Sequence, residues 1–261
     1  MIIDSHCHLH DAAFADIRET VTRAMTYDVW GVIAVGCDPA TNERTLALQA
    51  RHPKAIWACL GYHPERAALS EEELAQVEAQ VADHHARIVA LGEVGLPWYS
   101  LEGAPDPADR MVRGRERLRR LLGLAVRYDL PLTLHAPHGA AADALALLKE
   151  KGVERAVFHW HKAPPEVTKA IVEAGYSVSV TPEVVYRPRD QELVRSTGLD
   201  SLLVETDSPW PFKGEFEGFP SGPWLASRVV EQVAKIKQMP VEEVMERLAA
   251  NACRLFDLVW T

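Results

Sequence analysis

The chain has 261 residues, 48% hydrophobic and 25% charged, with 28 Lys and Arg against 37 Asp and Glu for a formal net charge of -9. That size and composition exclude a peptide or disulfide-scaffold protein and allow a sizeable unaided core. The negative balance excludes an electrostatic coat for nucleic acid but leaves room for a local basic patch.

Eight short β-branched apolar runs, at 2–5, 31–35, 56–61, 88–92, 130–134, 155–158, 177–180 and 202–205, read as strands. Most are apolar nearly throughout, the mark of burial on both faces in a parallel sheet. Apolar residues at helical spacing fall between them at 17–27, 40–51, 71–84, 108–128, 140–151 and 165–174. Ser70 ahead of Glu71, Glu72 and Glu73 is a capping signal, Asp38-Pro39 and Pro164-Pro165 mark further starts, and Gly152 and Gly175 follow helix ends. The alternation predicts eight βα units in one domain over 1–261, a (β/α)8 TIM barrel, and 241–260 predicts an extra amphipathic C-terminal helix. A doubly wound open sheet is disfavoured because no glycine-rich phosphate loop is present.

Cys7, Cys37, Cys59 and Cys253 form no CxxC pair, which points to reduced thiols rather than disulfides or a zinc finger. No apolar run is long enough to span a bilayer, and the start lacks a basic then apolar leader, so the expectation is a cytoplasmic protein with no membrane contact. Nothing calls for an obligatory protein partner.

In such a barrel the chemistry sits at the C-terminal ends of the strands. Polar residues fall there: His6 and His8 on strand one, His63 on strand three, Glu93 on four, His135 on five, His159 on six and Asp207 on eight. Two apart on an extended chain, His6 and His8 point to one side and Cys7 to the other. Singly, each of these residues admits a structural role, Asp207 as a helix cap, for example. Together, His6, His8, Glu93, His135, His159 and Asp207 offer enough ligands for two divalent ions with a bridging carboxylate. An imidazole-rich set suits Zn²⁺ or Mn²⁺ better than Mg²⁺.

Asp4-Ser5-His6-Cys7-His8-Leu9, Gly61-Tyr62-His63-Pro64, Leu91-Gly92-Glu93-Val94-Gly95-Leu96, Leu134-His135, Phe158-His159 and Val204-Glu205-Thr206-Asp207-Ser208-Pro209 resemble, in order and spacing, the TatD-type metal-dependent deoxyribonucleases and hydrolases of the amidohydrolase superfamily. The resemblance implies a (β/α)8 barrel and gives the metal-ligand roles to the same six residues. The chain departs from that pattern at Pro97, at Ala136-Pro137-His138, at His161 and across the divergent loop 211–224, where basic residues of the substrate loops are lost.

A metal-bound water acidified toward pH 7 is the expected nucleophile, with Glu93 bridging and Asp207 as general base. Glu205, one layer deeper on the same strand, is expected to support a ligand imidazole. His63 is expected to donate to a phosphate or to water, His161 and His138 to stand as surface imidazoles near the mouth, and Arg113 on the arginine-rich fourth helix to reach a phosphate backbone. The leading function is cleavage of phosphodiester bonds in nucleic acid. One alternative is hydrolysis of an ester or amide carbonyl, aminoacyl-tRNA included, suggested by the lost basic residues and by the apolar Phe212, Phe216, Phe219 and Trp224. The other is a non-catalytic metal-binding barrel.

Overall fold

The computed structural model describes residues 1–66 and 70–259. Its strands are β1 (Ile2–Cys7), β2 (Val29–Val35), β3 (Ile56–Leu60), β4 (Ala90–Gly95), β5 (Leu132–His135), β6 (Ala156–Phe158), β7 (Ser177–Val180) and β8 (Leu202–Val204). Helices α1 (Ile17–Met25), α2 (Pro39–Arg51), α3 (Glu71–His84), α4 (Pro107–Tyr128), α5 (Ala140–Lys151), α6 (Pro165–Glu173), α7 (Pro188–Ser196) and α8 (Ala226–Lys237) follow the strands in turn, and α9 (Val241–Phe256) comes last. Each strand pairs in parallel with the next, in the order β1 to β8. This is the (β/α)8 barrel expected. No helix among the described residues is long and apolar enough to cross a membrane.

Asp38 opens α2 with a capping box to Thr41, and Ser70 caps α3 by accepting from Glu73 N–H. Glu93 lies inside β4 rather than beyond it, because the strand continues through the residue to pair Val94 and Gly95 with β5. The last helix stops at Phe256, where Asp257 takes a left-handed φ of 50° and pairs with Arg155; of the stretch expected to be helical, Trp260 lies outside the described residues. Ala252, Leu255, Phe256 and Leu258 pack against Ile3, Ile33, Ala90, Val157 and Leu203 of the barrel interior. Asn251 donates to the carbonyls of Leu199 and Leu202 where β8 begins. The extra helix thus covers the end of the barrel opposite the strand C-termini.

The seam between β1 and β8 is closed by more than backbone. Cys7 bridges Ser208 in parallel register, and Asp207 N–H donates to His6 O at 2.9 Å. Asp4, fully buried, accepts from Thr206 N–H at 2.9 Å, from the Thr206 hydroxyl at 2.6 Å and from His6 N–H at 3.2 Å. Burial pushes the Asp4 carboxyl up to about 8 against the pull of these donors. Replacing Asp4 by Ala strands those donors away from water, so Asp4→Ala should lower the free energy of unfolding by about 2–4 kcal/mol, read from the urea midpoint. An unchanged midpoint would show that the seam does not depend on it.

Candidate metal centre

The residues expected at the strand ends converge. His6 lies on β1 and His8 just past it, Glu93 on β4, His135 at the end of β5, while His63, His159 and Asp207 follow β3, β6 and β8. Glycine makes room for Glu93. A Cβ on Gly61 would lie 2.2 Å from Glu93 N, and one on Gly95 1.9 Å from His135 O.

The Nε2 atoms of His6 and His8 each lie near both Glu93 Oε2 and Asp207 Oδ1, four ligand-type atoms in all. His6 Nε2 is 3.4 Å and His8 Nε2 3.6 Å from Glu93 Oε2, and Asp207 Oδ1 is 3.6 Å from His6 Nε2 and 3.2 Å from His8 Nε2. Metal bonds of about 2.1 Å at tetrahedral angles put ligand atoms about 3.4 Å apart, so these separations fit a cation. His6 Nε2 and Asp207 Oδ1 are buried and make no hydrogen bond. Unsatisfied buried polar atoms facing each other call for something between them, and the donor set fits a divalent ion. Asp207 reaches this group from a left-handed φ of 47°, a conformation Asp tolerates.

The other oxygen has a separate set. Glu93 Oε1 lies 2.8 Å from His135 Nδ1, 2.8 Å from His159 Nε2 and 3.0 Å from His63 Nε2. Glu65 N–H donates to His63 Nδ1 at 3.1 Å, so the proton of neutral His63 sits on Nε2 and points at Glu93. Glu205 lies behind, its Oε1 3.4 Å from His159 Nδ1, held by Trp160 N–H at 2.6 Å and by the Ser179 hydroxyl at 2.7 Å. Cys7, buried and directed at Ser208 O, belongs to no cluster of ligand atoms among the described residues.

Burial pushes Glu93 up, but the imidazoles of His63, His159 and His135 outweigh it and hold the carboxyl well below its usual range. For Asp207 burial is likewise outweighed, by His8 first and then His6 and His159, and the carboxyl is lowered. Burial opposes the charge on His8, His135 and His159, yet carboxylate neighbours, and for His8 also Cys37, raise all three above the ordinary imidazole range. Burial lowers His6 and His63.

The centre opens into a cavity of about 1060 Å³ whose walls include Tyr99, Trp160, Lys162, Arg189, Trp210 and Lys213. Several of these groups escape sequence reasoning. Glu65 accepts from Trp98, Tyr99 and Ser100 N–H at 2.6, 2.9 and 2.9 Å and lies 3.2 Å from His135 Nε2. Burial raises its carboxyl, but these hydrogen bonds bring it down to about 2. Its only trace in the sequence is its place two residues after His63. Lys162 lies 3.6 Å above the Trp160 ring and 3.5 Å from the Tyr99 hydroxyl. Arg187 and Arg189 both bind Glu183, at 2.6 and 2.9 Å.

Two expected site residues lie elsewhere. His161 is buried at 2% exposure, its Nε2 2.8 Å from the Thr168 hydroxyl, and burial drives it down to about 3. Trp160, at φ 39°, reverses the chain between His159 and His161 and sends the second imidazole into the barrel wall, so His161 is not a surface residue. Arg113 binds Asp106 at 2.6 Å and lines a smaller cavity, not the mouth. His138 does line the mouth. In the divergent loop, Phe212 and Phe216 pack with Trp160, Trp224 is buried under Arg23, and only Phe219 of the four stands fully out, at 72% exposure.

The TatD related DNase family matches residues 3–257. The chain is 31% identical to an uncharacterized metal-dependent hydrolase of Haemophilus influenzae, over 99% of this chain and 100% of that one. It is 30% identical to human deoxyribonuclease TATDN3, over 98% of this chain and 94% of that one. The crystal structure of YjjV, a TatD homologue from Escherichia coli, superposes with a TM-score of 0.89 at 28% identity, covering 99% of this chain and 98% of that one. With that match along the whole barrel and imidazoles and carboxylates able to hold a metal gathered at its mouth, the chain belongs to the TatD-related DNase family of metal-dependent hydrolases.

Proposed function

We propose that this chain is a phosphodiesterase of nucleic acid that works with two divalent ions, one on each oxygen of Glu93. The observation that carries the reading is the separate imidazole set around each oxygen, His6 and His8 at Oε2, His135 and His159 at Oε1. His6, His8, Asp207 and Glu93 would hold the first ion, and Glu93, His135 and His159 the second. Imidazole donors favour Zn²⁺ or Mn²⁺ over Mg²⁺. When bound, such a pair acidifies water toward neutral pH and polarises a phosphoryl oxygen.

The chain's own groups do the rest. Asp207, at the cavity floor and ionised at neutral pH, accepts the proton of the attacking water and returns it to the leaving oxygen. His63 offers its Nε2 proton beside Glu93. Glu65 hydrogen-bonds the far nitrogen of His135 and holds that ring, and Glu205 stands 3.4 Å behind the far nitrogen of His159. Lys162, Arg189 and Lys213 on the cavity wall attract an anionic strand, and Tyr99 and Trp210 offer faces for unstacked bases. These cations favour a phosphodiester over a carbonyl ester. The buried packing of Phe212 and Phe216 removes them from any apolar substrate surface.

Metal uptake should carry a proton signature. His8, His135 and His159 are raised above the ordinary range, so the metal-free chain holds protons there more firmly than free imidazoles do, and ligation must expel them. Calorimetry in buffers of different ionisation enthalpy should show release of more than one proton per chain, with affinity rising between about pH 6 and 8. Uptake without proton release would contradict this arrangement.

Activity should be assayed on single-stranded DNA, duplex DNA, an aryl phosphodiester and an aryl ester, each with Mn²⁺ and Zn²⁺. DNA and the phosphodiester should be cleaved, and Asp207→Asn should lose roughly 10²-fold or more in turnover on each, with metal content measured in parallel. Cleavage of the aryl ester alone would replace the phosphodiesterase by an ester hydrolase. Near-normal turnover of Asp207→Asn with metal bound would remove Asp207 as the proton acceptor.

A further inference from the structure

Helix α4 carries a row of arginines that the metal centre does not use. Arg110, Arg113 and Arg117 follow at i, i+3 and i+7, on one helical face. Together with Arg66, and with Pro97 and Leu118 as apolar wall, they line a cavity of about 170 Å³ beside the mouth. That is smaller than the roughly 300–1,000 Å³ of pockets for larger organic ligands, so a small ion or a single chemical group fits it best.

The arginines around this cavity are unequally paired. Arg66 is fully engaged, held by both oxygens of Glu73 at 2.7 and 3.2 Å and 3.4 Å from Asp38. Arg110 and Arg113 share one carboxylate, Asp106, at 2.9 and 2.6 Å. Arg117 has only Glu71, at 3.9 Å, and that side chain is 70% exposed and is also bound by Arg120 at 2.5 Å. The Nε atom of Arg117 is buried with no hydrogen-bond partner. Arg110 and Arg113 thus divide one carboxylate and Arg117 has no close acceptor, leaving a buried charged donor that is costly unless an acceptor reaches it.

We propose that this cavity binds a phosphate group through Arg110, Arg113 and Arg117. A phosphate presents several oxygens in a tetrahedral array that guanidinium forks match pairwise, and it supplies the acceptors that a shared Asp106 and a distant Glu71 do not. Ser100 belongs to the walls of both cavities, so a group bound here is one wall away from the metal centre. The phosphate has two possible sources, the free inorganic ion or a phosphate of the same strand whose scissile bond lies in the mouth. Only the second source rests on the function proposed above.

Crystals of the metal-loaded protein soaked in tungstate should show tungsten among the three guanidiniums. In solution, inorganic phosphate and a short oligonucleotide with and without a 5′-phosphate are titrated into wild type, Arg117→Met and Arg113→Met, which keep apolar stems and lose the guanidinium. Either substitution should weaken binding at this site by about tenfold or more, while any phosphate held at the metal centre stays unaffected. Arg117→Met should hydrolyse a small aryl phosphodiester at the wild-type rate. A loss confined to inorganic phosphate makes the free ion the ligand, and a loss confined to the phosphorylated oligonucleotide makes it the strand. No tungsten at the arginines, with unaltered binding of both probes in both variants, overturns the proposal.

Discussion

Glu93 carries a carboxylate at 1% exposure in the middle of a barrel strand, where an isolated charge could not be kept. Five imidazoles, those of His6, His8, His63, His135 and His159, lie within 3.6 Å of its oxygens. They come from the ends of β1, β3, β5 and β6, and no open sheet would bring those ends onto one point. Closure of the barrel is therefore a condition of the site. The seam that closes it runs through Asp4 and Thr206, next to the ligand-type residues His6 and Asp207.

The same surroundings set the protonation of the centre. His8, His135 and His159 are raised and Glu93 and Asp207 lowered, while burial holds His6 and His63 down, so the metal-free centre mixes ion pairs with neutral imidazoles. A divalent ion replaces protons with a fixed charge at nearly the same places. Burial of His6 Nε2 and Asp207 Oδ1 without partners shows where protons alone leave the network incomplete.

The fold was legible because nearly all strand residues are buried, which leaves short, mostly apolar runs between the helices. The boundaries were less so. Polar Glu93 between Gly92 and Gly95 read as the end of β4, although the strand runs through it. Helix α7 is short and charged, and α8, although Val229, Val230 and Val233 give it a clear apolar face, follows the divergent loop 211–224 rather than a strand. At the site, residues carried on strand ends were readable because a strand fixes both their depth and their facing. Residues positioned by loops were not. Glu65 meets Trp98 to Ser100 across two connections, and Lys162 depends on the turn at Trp160. That turn also removed His161. Arg113, Arg117 and Arg120 share a helical face by their spacing, yet Arg120 pairs with Glu71 and Glu78 while Arg113 looks into a cavity, a distinction set by neighbouring elements alone.

Two ions divided between the oxygens of Glu93 are the centre of the chemistry proposed. Anomalous diffraction at the manganese edge, from crystals grown with Mn²⁺, tests this directly. Two peaks roughly 3.5–4 Å apart are expected, one among His6, His8 and Asp207 and one beside His135 and His159, each touching one Glu93 oxygen. A single peak, or a pair that leaves either oxygen of Glu93 without metal, would contradict it.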